Sequence, residues 1–181
     1  MNPVRRIVTG HDKHGHSVFL EDGPPPQFEA RSNERVTYYE IWNTQGSPAP
    51  ITAIEAIEPN HRPLQLPPPP GGTIIRVIDI HPGNHTGMAL RKDGRSSGMH
   101  RTGTIDYAVV MEGEIFAVLD DEERLMRTGD ILIQRGTDHA WQNRSNRSCR
   151  MLFILIDGAF SDQLLALLPD MTLKVEPPSL R

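Results

Sequence analysis

The sequence predicts an all-β chain, and three observations carry the prediction. Its apolar residues fall in many short stretches, none with the sustained period of a long helix; those stretches are separated by Gly, Pro, Asn and Asp; and from Thr73 onward the pattern of stretch and turn is regular. At 181 residues, 37% hydrophobic and 23% charged, the chain has the size of one domain with one core.

The elements follow in order. Arg5–Thr9, Ser17–Glu21 and Val36–Asn43 read as short strands, broken by Pro24-Pro25-Pro26 and Pro67-Pro68-Pro69-Pro70. Proline runs favour stiff extended connections and cannot donate ladder hydrogen bonds. Residues 1–72 therefore read as an arm of short strands wrapped on a barrel, residues 73–157 as the barrel itself, and residues 158–181 as a helix and tail. Within the barrel segment the candidate strands are Thr73–His81, Met99–Met111, Ile115–Leu119, Leu125–Arg127, Ile131–Gln134, Ala140–Asn143 and Cys149–Ile156. Glu112-Gly113-Glu114 and Asp120-Asp121-Glu122-Glu123 are solvated hairpin tips, and Thr128-Gly129-Asp130 is a tight turn. Ser161 caps a short helix, Asp162–Leu168, that Pro169 stops.

Charge and composition exclude several classes. The net charge is −4, with both signs spread along the chain, so no basic stripe offers itself to phosphates and nucleic acid is not an expected partner. The longest apolar run, Met151–Ile156, is far short of the roughly 18 residues that cross a bilayer. No apolar segment follows Met1-Asn2-Pro3-Val4-Arg5-Arg6, so a cytoplasmic location without membrane attachment is expected. A single cysteine, Cys149, excludes an internal disulfide and a cysteine zinc cage, and its apolar neighbours make it a small buried hydrophobe.

Two segments carry chemistry. Side chains alternate across a strand, so His100, Thr102, Thr104 and Asp106 share one face of Met99–Met111. A histidine, two hydroxyls and a carboxylate make a poor core but a good pocket wall. By the same rule His139, Trp141 and Asn143 share a face of the second segment. Two histidines and an aspartate converging inside a barrel suit a first-row metal. The structural alternative is a hydrogen-bonded pocket in which Asp106 pairs with His100 or Arg101.

Gly94-x5-His100-x-Thr102-x3-Asp106-x6-Gly113 resembles the first cupin motif, G-x5-H-x-H-x3-E-x6-G, and Gly129-x4-Gln134-x-Gly136-x2-His139-x3-Asn143 resembles the second, G-x5-P-x-G-x2-H-x3-N. The resemblance covers about Thr73–Asp157. It implies a cupin-type jelly-roll β-barrel, a homodimer, and a divalent metal ion (Fe(II), Mn(II), Zn(II) or Ni(II)) held inside the barrel. Thr102 stands where the family has its second metal-binding histidine, Asp106 where it has glutamate, and Gln134 where it has proline. Position by position, His100, Asp106 and His139 remain as candidate ligands and catalytic residues. Thr102, Thr104, Trp141 and Asn143 remain as candidate substrate contacts.

The leading expectation is a metal-dependent oxygenase, decarboxylase or lyase acting on a small organic acid or an aromatic or polyketide-like metabolite. Two others stay open: a metal-free cupin in which His100 or His139 acts as acid or base beside Asp106, and a non-catalytic barrel that binds a small ligand. His85 is a candidate replacement ligand. The polar segment Arg91–Gly98 is a candidate lid bringing Arg91 or Arg95 to an anion. His11, His14 and His16 sit in a solvated turn. Trp141 is a pocket wall.

Overall fold

The computed structural model describes residues 1–32, 35–52, 64, 67–84 and 99–168. Its strands are β1 (Arg6–His11), β2 (Ser17–Gly23), β3 (Gln27–Arg31), β4 (Val36–Thr44), β5 (Thr73–Ile80), β6 (Thr104–Glu112), β7 (Glu114–Val118), β8 (Glu123–Arg127), β9 (Ile131–Arg135), β10 (Ala140–Gln142) and β11 (Cys149–Asp157). One short helix follows, α1 (Asp162–Leu165), capped by the Ser161 hydroxyl, which accepts from the Leu164 amide. The all-β prediction with a short C-terminal helix is met. The helix ends at Leu165 rather than Leu168, and Pro169 lies outside the described residues.

All strand pairs are antiparallel. A six-stranded sheet runs β3-β4-β5-β11-β6-β9, a three-stranded sheet runs β10-β7-β8, and β1-β2 forms a separate hairpin. The two larger sheets close over a core that includes Ile74 and Ile80 of β5, Ala108 and Val110 of β6, Ile115 of β7, Met126 of β8, and Met151, Phe153 and Leu155 of β11. This is the jelly-roll arrangement, two packed sheets with one apolar interior. The turns behave as their residues require. Gly113 and Gly129 adopt φ of 89° and 92° in the β6–β7 and β8–β9 hairpins. A Cβ on Gly113 would come within 2.9 Å of the Ser148 carbonyl oxygen.

Two elements differ from the sequence reading. β3 was not expected, because its alternation is inverted: Phe28 and Ala30 face solvent, while Gln27, Glu29 and Arg31 take the more covered side. The strand expected from Met99 begins only at Thr104. β11, its partner, ends at Asp157, and the last pair of that ladder is Thr104 with Asp157. Beyond it Gly103 accepts from the Gly158 amide, and the chain leaves the sheet.

The first strands are tied to the barrel by charge. Arg6 is buried, pairs with Glu21 and lies 5.8 Å from the Trp42 ring centroid. Arg150 grips Asp79 through two bonds of 2.6 and 2.7 Å and donates to the Asn2 carbonyl at 2.7 Å.

Candidate active site

The inner face of the six-stranded sheet and β10 enclose a cavity of about 140 Å³. Alternation along β5 sends Ile74, Arg76, Ile78 and Ile80 inward. Of these, Arg76, Ile78 and Ile80 line the cavity, together with Tyr38 of β4, Asp106 of β6, Trp141 of β10 and Phe153 and Leu155 of β11. His100, Thr102 and His139 complete the wall that carries the chemistry.

His100 and His139 are set opposite one another by the backbone. Each donates its amide to the other's carbonyl at 3.0 Å, a lone antiparallel bridge outside the named strands. Their ring centroids are 4.3 Å apart. Arg101 and Asp138, the adjacent residues of the two segments, pair at 2.8 Å and reinforce the bridge. His100 is exposed, so it stands at the opening, whereas His139 is buried. The Nδ1 of His139 lies 2.9 Å from the Thr137 carbonyl oxygen. A carbonyl only accepts, so Nδ1 carries the hydrogen and Nε2 carries the lone pair. Burial, assisted by the neighbouring His100 and opposed by Thr137, pushes the His139 pKa down to about 3, so the ring is neutral at physiological pH. Trp141 packs edge-on between His139 and Phe153, at 6.2 and 5.4 Å.

Asp106 is the second polar feature, 5% exposed and central in β6. Its Oδ1 is buried without a hydrogen-bond partner. Thr104 bonds to the carboxylate, but burial dominates and raises its pKa to about 6. The Thr102 and Thr104 hydroxyl oxygens are 2.7 Å apart. A carboxylate can only accept, so Thr104 spends its one hydrogen on Asp106 and receives that of Thr102. Thr102 is thereby left facing the cavity as an acceptor.

Among the described residues no three His, Cys, Asp or Glu side chains come together to hold an ion. His100 precedes β6, on the segment bridged to His139, and lines the same cavity as Asp106, whose side chain has one methylene fewer than the family's glutamate. Thr102, in the position of a second histidine, is engaged with Thr104. Among the described residues His100, Asp106 and His139 share the cavity wall without being grouped as a three-ligand site. His85, Arg91, Arg95 and Gly94 lie outside the described residues.

The remaining candidates separate into wall and scaffold. Thr102 and Trp141 line the cavity; Thr104 sits behind Thr102. Asn143 is scaffold: its amide donates to the Ile80 and Arg147 carbonyls at 2.8 and 2.7 Å, and its oxygen accepts from the amide and hydroxyl of Ser145. Asp106 pairs with neither His100 nor Arg101, the latter being held by Asp138. Cys149 is fully buried and its thiol is pushed up to about 12, which makes it inert. In the β1–β2 turn Asp12 accepts from the His14 and His16 amides.

Sequence reasoning missed Arg76 and Tyr38. The signal was available for Arg76, a cation interrupting an otherwise isoleucine face in Thr73–Ile80.

Comparison with known proteins agrees with this architecture. The profile of the Cupin_2 family, the cupin domain, matches residues 86–155. Phomopsin biosynthesis cluster protein D of Diaporthe leptostromiformis is 37% identical over 161 residues, spanning 84% of this chain and 78% of its own. Oryzines biosynthesis cluster protein J of Aspergillus oryzae is 33% identical, over 86% of this chain and 83% of its own. The cupin-domain-containing oxidoreductase fogC of Aspergillus ruber is 34% identical, over 87% and 74%. A jelly-roll barrel with its polar residues turned onto an inner cavity, and relatives of this identity along most of its length, place the chain in the cupin superfamily.

Proposed function

We propose that this cupin is an enzyme of specialised metabolism that moves a proton on a small, largely apolar molecule held in the barrel cavity, with Asp106 as the acid–base group. The observation that carries the reading is the Asp106 Oδ1: a buried carboxylate oxygen with no partner, in the wall of a cavity otherwise rich in Ile, Phe, Leu and Trp. Leaving such an atom unpaired costs stability, and a ligand donor or acidic C–H is what would repay it. A pKa near 6 keeps Asp106 mostly ionised at neutral pH yet basic enough to accept a proton, the range in which a general base works best.

In this mechanism the substrate seats its apolar body against Trp141, Phe153, Ile78 and Ile80. Oδ1 takes a proton from carbon or oxygen of the substrate, and the neutral carboxyl returns it to a second atom. The result is a tautomerisation or double-bond shift with no net change in atoms or electrons. The Thr104 hydroxyl holds Asp106 in place, and the Thr102 oxygen accepts a hydrogen bond from the substrate. Neutral His139, with its Nε2 lone pair, steadies a developing hydroxyl. The relatives named for phomopsin and oryzines biosynthesis clusters support a role in building a small molecule.

The test uses ring-sized 1,3-dicarbonyl and β-keto acids in D2O, with mass spectrometry to read deuterium entering the acidic carbon. Wild type should accelerate the exchange at least 100-fold over Asp106→Asn, which removes the base but keeps the shape. Equal rates in the two proteins would sink the proposal.

A metal-dependent oxidoreductase is the second reading, favoured by one observation, the oxidoreductase names of relatives such as fogC. It requires His100, Asp106 and His139, which line the same cavity, to close on one ion. Elemental mass spectrometry on protein purified without a His-tag or chelator decides between the readings. Near-stoichiometric metal removed by both His139→Ala and Asp106→Ala would replace the proton-transfer mechanism with this one.

A further inference from the structure

We propose that Arg76 anchors a carboxylate, and that the cavity takes a ring-sized carboxylic acid. The inference rests on the cavity being the substrate site, but not on the role given to Asp106. Arg76 is 1% exposed, yet it lines the cavity from the inner face of β5. A guanidinium stays charged at every accessible pH, so its burial is costly unless acceptors compensate it. Glu40 stands directly across from it in the β4–β5 register and does not line the cavity. One Glu40 oxygen, Oε2, lies 2.8 Å from both Nε and Nη2 of Arg76. The Tyr38 ring centroid is 5.8 Å from the guanidinium carbon. Glu40 thus fixes the plane of the fork from behind, and a planar fork of fixed orientation is the geometry that reads a carboxylate.

The rest of the cavity defines what the carboxylate is attached to. Among the described lining residues Arg76 is the one permanent cation, His139 being held neutral by burial. An anion entering among Ile78, Ile80, Phe153 and Leu155 has no other permanent cation to meet, and ionised Asp106 on the same wall turns the anion's charge toward Arg76. The volume of about 140 Å³ is close to that of a cavity, roughly 150 Å³, that admits benzene. The ligand is therefore a single ring, or a branched chain of similar bulk, bearing one carboxylate.

Benzoate and its neutral counterpart benzyl alcohol are the probes, with affinities measured by calorimetry and ligand-observed NMR. Wild type should bind benzoate at least 10-fold more tightly than benzyl alcohol. The double variant Arg76→Met/Glu40→Leu removes both charges together and keeps the bulk; it should lose the preference while still binding benzyl alcohol. Arg76→Lys keeps the charge but not the fork, and should lower benzoate affinity several-fold, so a double variant that fails to fold leaves the proposal testable. Absence of preference in wild type, or a preference untouched by either variant, would overturn it and leave Arg76–Glu40 a purely structural pair. Asp106→Asn removes a like charge from the same cavity and should bind benzoate more tightly than wild type at neutral pH. Benzoate binding that depends on Arg76 without any deuterium exchange would therefore refute the proton-transfer mechanism and leave the anchor standing.

Discussion

Replacing Asp106 by Asn should make the protein more stable at pH 8 and leave it almost unchanged near pH 4. The carboxyl rises from an ordinary 3.8 to about 6 because it is buried. At 5% exposure little solvent screening discounts that shift. Roughly two pK units at 1.36 kcal/mol each mean that ionised Asp106 costs the folded state about 3 kcal/mol. The direction follows from proton binding. Between about pH 4 and pH 6 the folded protein holds this proton more tightly than the unfolded chain, so stability falls as pH rises through that window and is flat above it. Asparagine has the same shape and no charge to desolvate, so at pH 8 it should recover about 2–3 kcal/mol, or on the order of 4–10 °C in Tm for a chain of this size. The assay is urea denaturation of both proteins at pH 4 and pH 8, followed by circular dichroism. His139 pulls the other way: its lowered pKa makes stability fall as pH drops below about 6.5. Both proteins share that trend, so the difference between them isolates Asp106. An Asn variant that is less stable than wild type at pH 8, or a gap of the same size at both pH values, would refute the claim that Asp106 is a desolvated and unpaired carboxylate.

Three further outcomes are expected. Glu40→Ala should destabilise by about 3–5 kcal/mol in urea titration, since it strips a buried cation of its carboxylate, while the double replacement of Glu40 and Arg76 by apolar residues costs far less. Gly136→Ala should lose on the order of 2–3 kcal/mol of thermal stability, because the residue sits at φ 59° and a Cβ would come within 2.6 Å of the Phe160 ring. Asn143→Ala should cost about 2–4 kcal/mol through the carbonyls of Ile80 and Arg147 left unpaired, yet leave benzoate affinity unchanged.

Period-two reading found most of the strands because burial enforces it: along β6, Thr104, Asp106, Ala108 and Val110 are buried while the residues between them are more exposed. Before Thr104 no part of β6 forms, yet His100 and Thr102 still line the cavity with Asp106. Where β6 starts is decided by where β11 ends, a long-range fact that no local pattern records. The pairing of His100 with His139 was legible only as two motifs that had to meet. Asn143 looked like a pocket residue because alternation continued past Trp141, but the chain turns at that point and the side chain is consumed in closing the turn to Ser145 and Arg147. Arg76 lay in plain view among isoleucines. Its meaning depended on Glu40 standing opposite it, and thirty-six positions separate the two in the chain.

The departures from the cupin motifs and the unusual carboxyl are one physical circumstance. With its ion bound, a ligand carboxylate is ionised, and the ion both lowers its pKa and partners its oxygen. A general base needs the reverse, a free oxygen and a raised proton affinity. Asp106 has both of the latter properties: its Oδ1 has no hydrogen-bond partner, and burial raises its proton affinity. Restoring reach with Asp106→Glu while placing histidine at Thr102 would bring the donor set of the first motif back together. If the shorter carboxylate is what keeps the oxygen unpaired, that double variant should take up Fe(II) or Mn(II) and lose the deuterium exchange with which the wild type is credited. Metal uptake with exchange intact would mean that the proton is moved by some other group.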